Sequence, residues 1–159
     1  MGKKYSELHP EAEIWDDPQS HIDLVHRLSD EYPDGWAVSL SAPSLPVYLS
    51  ACPSDVRVGV WAKTFHQIRV NVAIQYAWEP VIWRGGRKET PVKPMIRDWH
   101  SGRIAMKKNF YGAKPLDFNM WILSLMQYRI GDELVDLFPG SGSMAIAIAE
   151  YERVLNETP

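Results

Sequence analysis

The order of apolar and polar positions divides the chain into alternating helical and extended stretches. Ile22, Val25 and Leu28 recur at three-residue spacing, which predicts a helix over residues 21–32 with Ser20 as its cap. Pro33-Asp34-Gly35 is a turn signal that ends it. Trp36-Ala-Val-Ser-Leu-Ser41 reads as a buried strand, and residues 43–49 as a short helix with Ser41 or Pro43 at its start. Val56-Arg-Val-Gly-Val-Trp-Ala62 alternates and is rich in β-branched residues, so it predicts a second strand. Ala77-Trp-Glu-Pro-Val-Ile-Trp83 predicts a third. Its Pro80 cannot donate to a ladder, which predicts an edge position or a bulge. The connection over 63–76 carries no period that assigns it.

Gly85-Gly86 opens a basic stretch over 84–108 with two prolines and little apolar periodicity. Extended to residue 112, it reads as one long loop of the kind that usually carries function. Lys114-Pro115 then starts a helix running to about Tyr128, with Ile122, Leu123, Leu125 and Met126 as its apolar face. Gly131-Asp-Glu-Leu-Val135 reads as a turn into a short buried strand. Asp136-Leu-Phe-Pro-Gly140-Ser-Gly142-Ser143 is a glycine-rich turn, and residues 144–155 form a closing helix. Helices alternating with apolar strands predict an α/β sheet of at least four strands. Residues 1–19, with Pro10 and Pro18, read as an irregular lead-in anchored by Trp15.

Composition narrows the class. A length of 159 residues with 45% apolar content fits one globular domain, 1–159. The single Cys52 excludes an intrachain disulfide and a multi-cysteine metal site, and fits a reducing, cytoplasmic compartment. No apolar run approaches the roughly 20 residues of a membrane span. The amino terminus, Met-Gly-Lys-Lys-Tyr, has no apolar core of a secretory signal. Among His9, His21, His26, His66 and His100 only His21 and His26, five apart, approach metal-ligand spacing, and that interval does not put them on one helix face.

Charge changes the picture more. Residues 1–56 carry 3 basic and 10 acidic side chains, residues 57–108 carry 11 and 3, and residues 109–159 carry 3 and 7. A middle segment of +8 in an otherwise acidic chain points to a phosphate-bearing partner, with a solvated loop as the alternative. Within it, Arg84, Arg87, Lys88, Lys93, Arg97, Lys107 and Lys108 are the candidate DNA-binding cations, and Trp99 supplies an aromatic among them. Trp78 and Glu79 read as a packed strand aromatic and a surface carboxylate, with a reach toward a base as the alternative.

A strand, a glycine turn and a helix make a corner whose backbone N–H groups can meet an anion or nucleotide. Asp136 would stand at the strand end, and Ser143 would cap the helix. A phosphate-binding loop needs a Lys and a Ser or Thr after the last glycine; Ser143-Met144 stands there instead. A dinucleotide fingerprint could use Ala145 as its third small residue. It also wants an acidic residue about 20 positions further on, and the 159 residues contain no such position.

Lys114-Pro115, the helix after it and Asp-Leu-Phe-Pro-Gly-Ser-Gly over 136–142 together resemble the C-terminal part of S-adenosylmethionine-dependent DNA amino-methyltransferases of permuted motif order, including the DNA-methylase-like proteins of actinobacterial phages. The likeness continues through Trp15-Asp-Asp-Pro18, Asp34-Gly-Trp-Ala-Val-Ser-Leu-Ser41, Val56-Arg-Val-Gly-Val-Trp-Ala-Lys63 and Tyr76-Ala-Trp-Glu-Pro-Val-Ile82, nearly the whole chain. It implies a Rossmann-like methyltransferase sheet with helices on both faces. It implies S-adenosylmethionine as cofactor, held by Asp136, Phe138, Pro139, Gly140, Ser141 and Gly142, with Lys114 and Pro115 near its carboxylate. It also implies DNA as partner and methylation of the exocyclic amine of adenine or cytosine, in a host cytoplasm if the gene belongs to a phage.

Two departures qualify what the resemblance implies. The family's catalytic Asp/Asn-Pro-Pro-Tyr/Trp is absent; Asp17-Pro18, Ala42-Pro43 and Glu79-Pro80 lack the paired prolines and the aromatic ring. In the family that motif lies just upstream of a segment like Gly2-Lys-Lys-Tyr-Ser-Glu-Leu-His-Pro10. No strand follows the last helix, so the usual ribose-binding acid has no place, and Glu150 and Glu152 read as solvated helix charges. The competing expectation is a catalytically inactive, truncated relative acting as a DNA- or partner-binding module. Its sheet would lack the catalytic-motif strand, leaving an edge through which a second copy could pair.

Overall fold

The computed structural model describes residues 14, 16–65, 68–87, 95–105 and 112–157. The lead-in over 1–13 and its anchor Trp15 lie outside these residues. The first helix, α1, spans Pro18–Glu31 and begins three residues earlier than the apolar spacing predicts. The cap is Asp17 and not Ser20: its carboxylate accepts the N–H of Gln19 at 3.0 Å, and Pro18 sits where a missing N–H costs nothing. Strand β1 follows over Gly35–Ser39, and a 3-10 turn at Ala42–Ser44 runs into α2, Leu45–Ala51. Strand β2 covers Arg57–Phe65 and β3 covers Trp78–Gly85.

A strand absent from the sequence reading, β4 over Trp99–Arg103, lies inside the basic stretch. It is short and mostly polar, and its pairing rests on a parallel neighbour distant in sequence. The helix after Lys114-Pro115 is α3, Leu116–Met126, ended by Gln127 in the left-handed region at φ 52°. The closing helix α4 spans Ser143–Glu157. No helix among the described residues is long and apolar enough to cross a membrane.

The fold is mixed α/β around a four-stranded sheet ordered β1-β3-β2-β4. β3 pairs antiparallel with both β1 and β2, and β4 pairs parallel with β2. Pro80 therefore stands in a strand paired on both sides, neither at an edge nor in a bulge. It tolerates this because Val60 opposite turns its N–H away, to the carbonyl of Asp98. The missing donor of Pro80 faces the end of β1, where only Leu40 remains, donating to the Pro80 carbonyl at 3.1 Å.

Side chains alternate across the sheet, so β3 sends Ile82 to one face and Val81 and Trp83 to the other. Ile82 joins Leu24, Val25 and Leu28 of α1, Trp36, Leu40 and Tyr48 in one core. Val81 and Trp83 join Trp61 with Phe118 and Trp121 of α3 in the second. A third cluster, Leu123, Tyr128 and Ala147, seals α3 to α4. Helices thus cover both faces.

The strand expected over 132–135 does not form. These residues have no ladder partner, and Val135 is 50% exposed. Local side-chain bonds hold the segment instead: Asp132 takes both guanidinium nitrogens of Arg87, at 2.5 and 2.6 Å, and the N–H of Arg129 at 2.8 Å. Asp136 accepts the N–H of Phe138 at 3.1 Å.

Candidate functional site

The glycine corner forms without its strand. Gly140 and Gly142 take positive φ, 42° and 70°, and Gly142 donates to the Pro139 carbonyl, closing the turn. A Cβ on Gly142 would meet nothing within 4 Å, so backbone conformation and not crowding demands glycine there. Asp136, Pro139 and Gly140 are exposed, as is Phe138 at 54%, while Ser141 and Gly142 are half-buried. Ser143 is the first residue of α4 and not its cap; its hydroxyl accepts from the amide of Asn119 at 3.0 Å. Asn119 is buried, so this bond fixes the start of α4 against α3.

Further bonds show how the two helices run. Ser124 donates to Tyr151 at 3.2 Å, and Tyr128 donates to Glu152 at 2.7 Å. Contacts that advance together along both segments mean parallel helices, so α3 and α4 begin at the same end of the molecule. The Glu152 carboxylate and burial push the Tyr128 hydroxyl up to about 12. Pro115 stands four residues before Asn119, about 6 Å further toward that end by helical rise, and Lys114 precedes it. Pro115 is the residue that caps α3.

Lys114 does not reach into open solvent there. Its ammonium bonds the Glu79 carboxylate, whose other oxygen takes Lys63. Both ammonium groups lie over the Trp61 ring, 5.2 and 5.3 Å from its centroid, and Lys114 also lies 5.5 Å from that of Phe118. Burial alone would raise the Glu79 carboxyl, but Lys114 first and Lys63 second outweigh it and hold its pKa below the ordinary range. The cluster carries two positive charges against one negative. Beside it His100 Nε2 lies 3.1 Å from Asp117 Oδ2, with the imidazole stacked on Trp121. A Cβ on Gly102 would fall 2.7 Å from that Asp117 oxygen, so glycine lets α3 approach β4.

The expected roles of Trp78 and Glu79 are exchanged. The indole is 41% exposed and the carboxylate is the enclosed partner. Register explains it: Glu79 pairs with Trp61 on the α3 face, which turns Trp78 to the opposite face. Lys63 and Glu79 were missed as site residues. The available signal was alternation, which puts Lys63 on the inward face with Trp61 and so predicts a charge partner across the ladder.

The candidate DNA-binding cations divide. Arg84 bonds Asp55 at 2.8 Å. Arg87 grips Asp132 and donates to the Gln127 carbonyl at 3.1 Å, tying the segment after α3 to the end of β3. This pair, with the Arg129 N–H, holds the Asp132 carboxyl at about 2. Arg97 lies 5.7 Å over the Trp99 ring, and its carbonyl accepts the indole N–H of Trp121. Lys88, Lys93, Lys107 and Lys108 lie outside the described residues. Compared with protein-family models, curated proteins and solved structures, the chain has no match to any of them.

Proposed function

We propose that this protein binds S-adenosylmethionine and DNA and is of the DNA amino-methyltransferase type, acting on the exocyclic amine of adenine or cytosine. The observation that carries the reading is the parallel pairing of α3 and α4 through Asn119 and Ser143, which directs the Lys114-Pro115 turn and the glycine corner to one end. A zwitterionic amino-acid group needs such a pairing of N–H donors and cation. The residues fit the cofactor: the corner is preformed, the space over Gly142 is open, and Asp136 and Phe138 are exposed beside it. S-adenosylmethionine supplies the methyl group when bound. Asp136, Phe138, Pro139, Gly140, Ser141 and Gly142 would hold it, and Lys114, bonded to Glu79, would face its carboxylate end. An amine inside duplex DNA is reached only after base extrusion, so the reading requires contact with unpaired bases.

A second reading, a non-catalytic module of the same Rossmann-like type, is favoured by the edge next to β1. Among the described residues β1 has no partner on its outer side. A cavity of about 330 Å³ separates Glu31, Tyr32, Pro33, Asp34 and Gly35 from Glu133 and Val135. The unpaired 132–136 segment and the missing Asp-Pro-Pro-Tyr are what an absent catalytic strand would leave, and a second copy could pair there. Incubation with methyl-labelled cofactor and DNA separates the two. Label in the base supports the enzyme; cofactor binding with no transfer supports the module; neither rejects both.

A further inference from the structure

We infer that the uncovered half of the sheet, centred on Trp78 and Trp99, is a stacking surface for unpaired DNA bases. This deepens the nucleic-acid part of the proposed function and rests on it.

The helices α1 and α2 cover the β1–β3 half of their face, where Trp36, Leu40 and Ile82 are buried. Among the described residues no helix covers the β2–β4 half. On β2 the residues pointing there are Val58, exposed, and Val60 and Ala62, half-buried. On β4 burial alternates without exception: His100 and Gly102 turn inward, and Trp99, Ser101 and Arg103 are exposed. Trp78 joins them from β3. The two indoles, 41% and 48% exposed, thus stand on one face of a rigid sheet.

Their spacing selects the ligand. Trp78 pairs with Ala62 and Trp99 with Val60, on opposite sides of β2. Two strand spacings across and two residues along place the two Cα atoms about 12 Å apart. Bases stacked in a duplex repeat about every 3.4 Å along each strand and offer their faces to one another. An unstacked single strand can lay separate bases on two rings that far apart. Arg97, over the Trp99 ring, and Arg103 supply the cations that a phosphate backbone needs, and no carboxylate points from these strands onto this half of the face. Aromatic platforms flanked by cations are the general means of binding unpaired bases. A protein that must hold DNA around an extruded base has use for one.

The test is titration of a labelled single-stranded oligodeoxynucleotide and of the same sequence as duplex, at fixed salt, into wild type, Trp78→Ala, Trp99→Ala and the double variant. Single-strand affinity is expected to fall about tenfold for each indole, with Trp→Phe losing less, and duplex affinity to change little. Both positions are on the surface, and unchanged circular dichroism confirms folding. Equal single-strand affinity in wild type and double variant overturns the proposal, as does wild type that binds no single strand. A concentration-dependent dimer that the substitutions dissolve also overturns it, because the face is then an interface between copies. Calorimetry with S-adenosylmethionine on the same variants tells the two ideas apart. Wild type that binds cofactor but no single strand sinks only the stacking surface, and wild type that binds no cofactor sinks the function it rests on.

Discussion

The Glu79 cluster and the glycine corner stand toward the same end of α3 and α4, and they are built in opposite ways. Around Glu79 every charge has a partner: two lysines share one carboxylate over a tryptophan ring. The corner takes its shape from two positive-φ glycines, its own turn bonds and one amide–hydroxyl bond beneath it. A cluster of that kind holds the fold whether or not a ligand is present. A corner of this kind contributes less to the fold and lies largely exposed. Substitutions should therefore affect stability in the first and ligand binding in the second.

The largest effect is expected from Glu79→Ala, which strands two ammonium groups in a half-buried site. Urea denaturation should show a loss of about 3 kcal/mol. A loss well under 1 kcal/mol would mean that solvent already screens the cluster, and the contrast with the corner would fail. Asn119→Ala removes the tie between the helices and should cost about 1–2 kcal/mol, measured the same way. It should weaken both stability and cofactor binding, because it anchors the corner.

Acid should expose the same contrast. The carboxyls of Glu79 and Asp132 are depressed in the folded protein, Asp132 to about 2 from a reference of 3.8. Depressed carboxyls stabilise above their unfolded pKa and lose that contribution as pH falls through the folded value. Stability should be level near neutrality and decline as pH falls below about 4. Arg87→Gln should flatten part of that decline; an unchanged acid limb would remove the Arg87–Asp132 pair from the account. Gly142→Ala should cost only about 1 kcal/mol, the price of a left-handed residue with open space around it. Arg153→Ala breaks only exposed helix-surface pairs with Glu150 and Glu157, and its melting temperature should match that of wild type.

How much of this was legible in the sequence follows from which signals are local. Apolar spacing together with turn and helix-start signals located α1, β1, α2, β2, β3, α3 and α4, and the cap at Asp17 differed because Pro18 extends the first turn. β4 escaped because Trp-His-Ser-Gly-Arg has no strand-like run of apolar residues; its pairing with β2 is a tertiary fact. The 132–135 segment failed in the other direction. Leu134 and Val135 favour a strand, but a strand needs a neighbour, and Arg87, 45 residues earlier in the chain, takes Asp132 instead. The glycine corner was readable because positive-φ turns leave glycines in the sequence. The Glu79 cluster was readable only in part: alternation turns Lys63 inward, but the three charges lie 16 and 35 residues apart and meet only through register and the placement of α3.

The most direct test of the account is calorimetric titration of S-adenosylmethionine into the purified chain, wild type and Gly140→Val. The account predicts saturable one-to-one binding that the substitution abolishes, with a melting temperature lowered by no more than a few degrees. Absence of heat from wild type at the highest soluble protein concentration would contradict it, as would undiminished binding by the Gly140→Val protein.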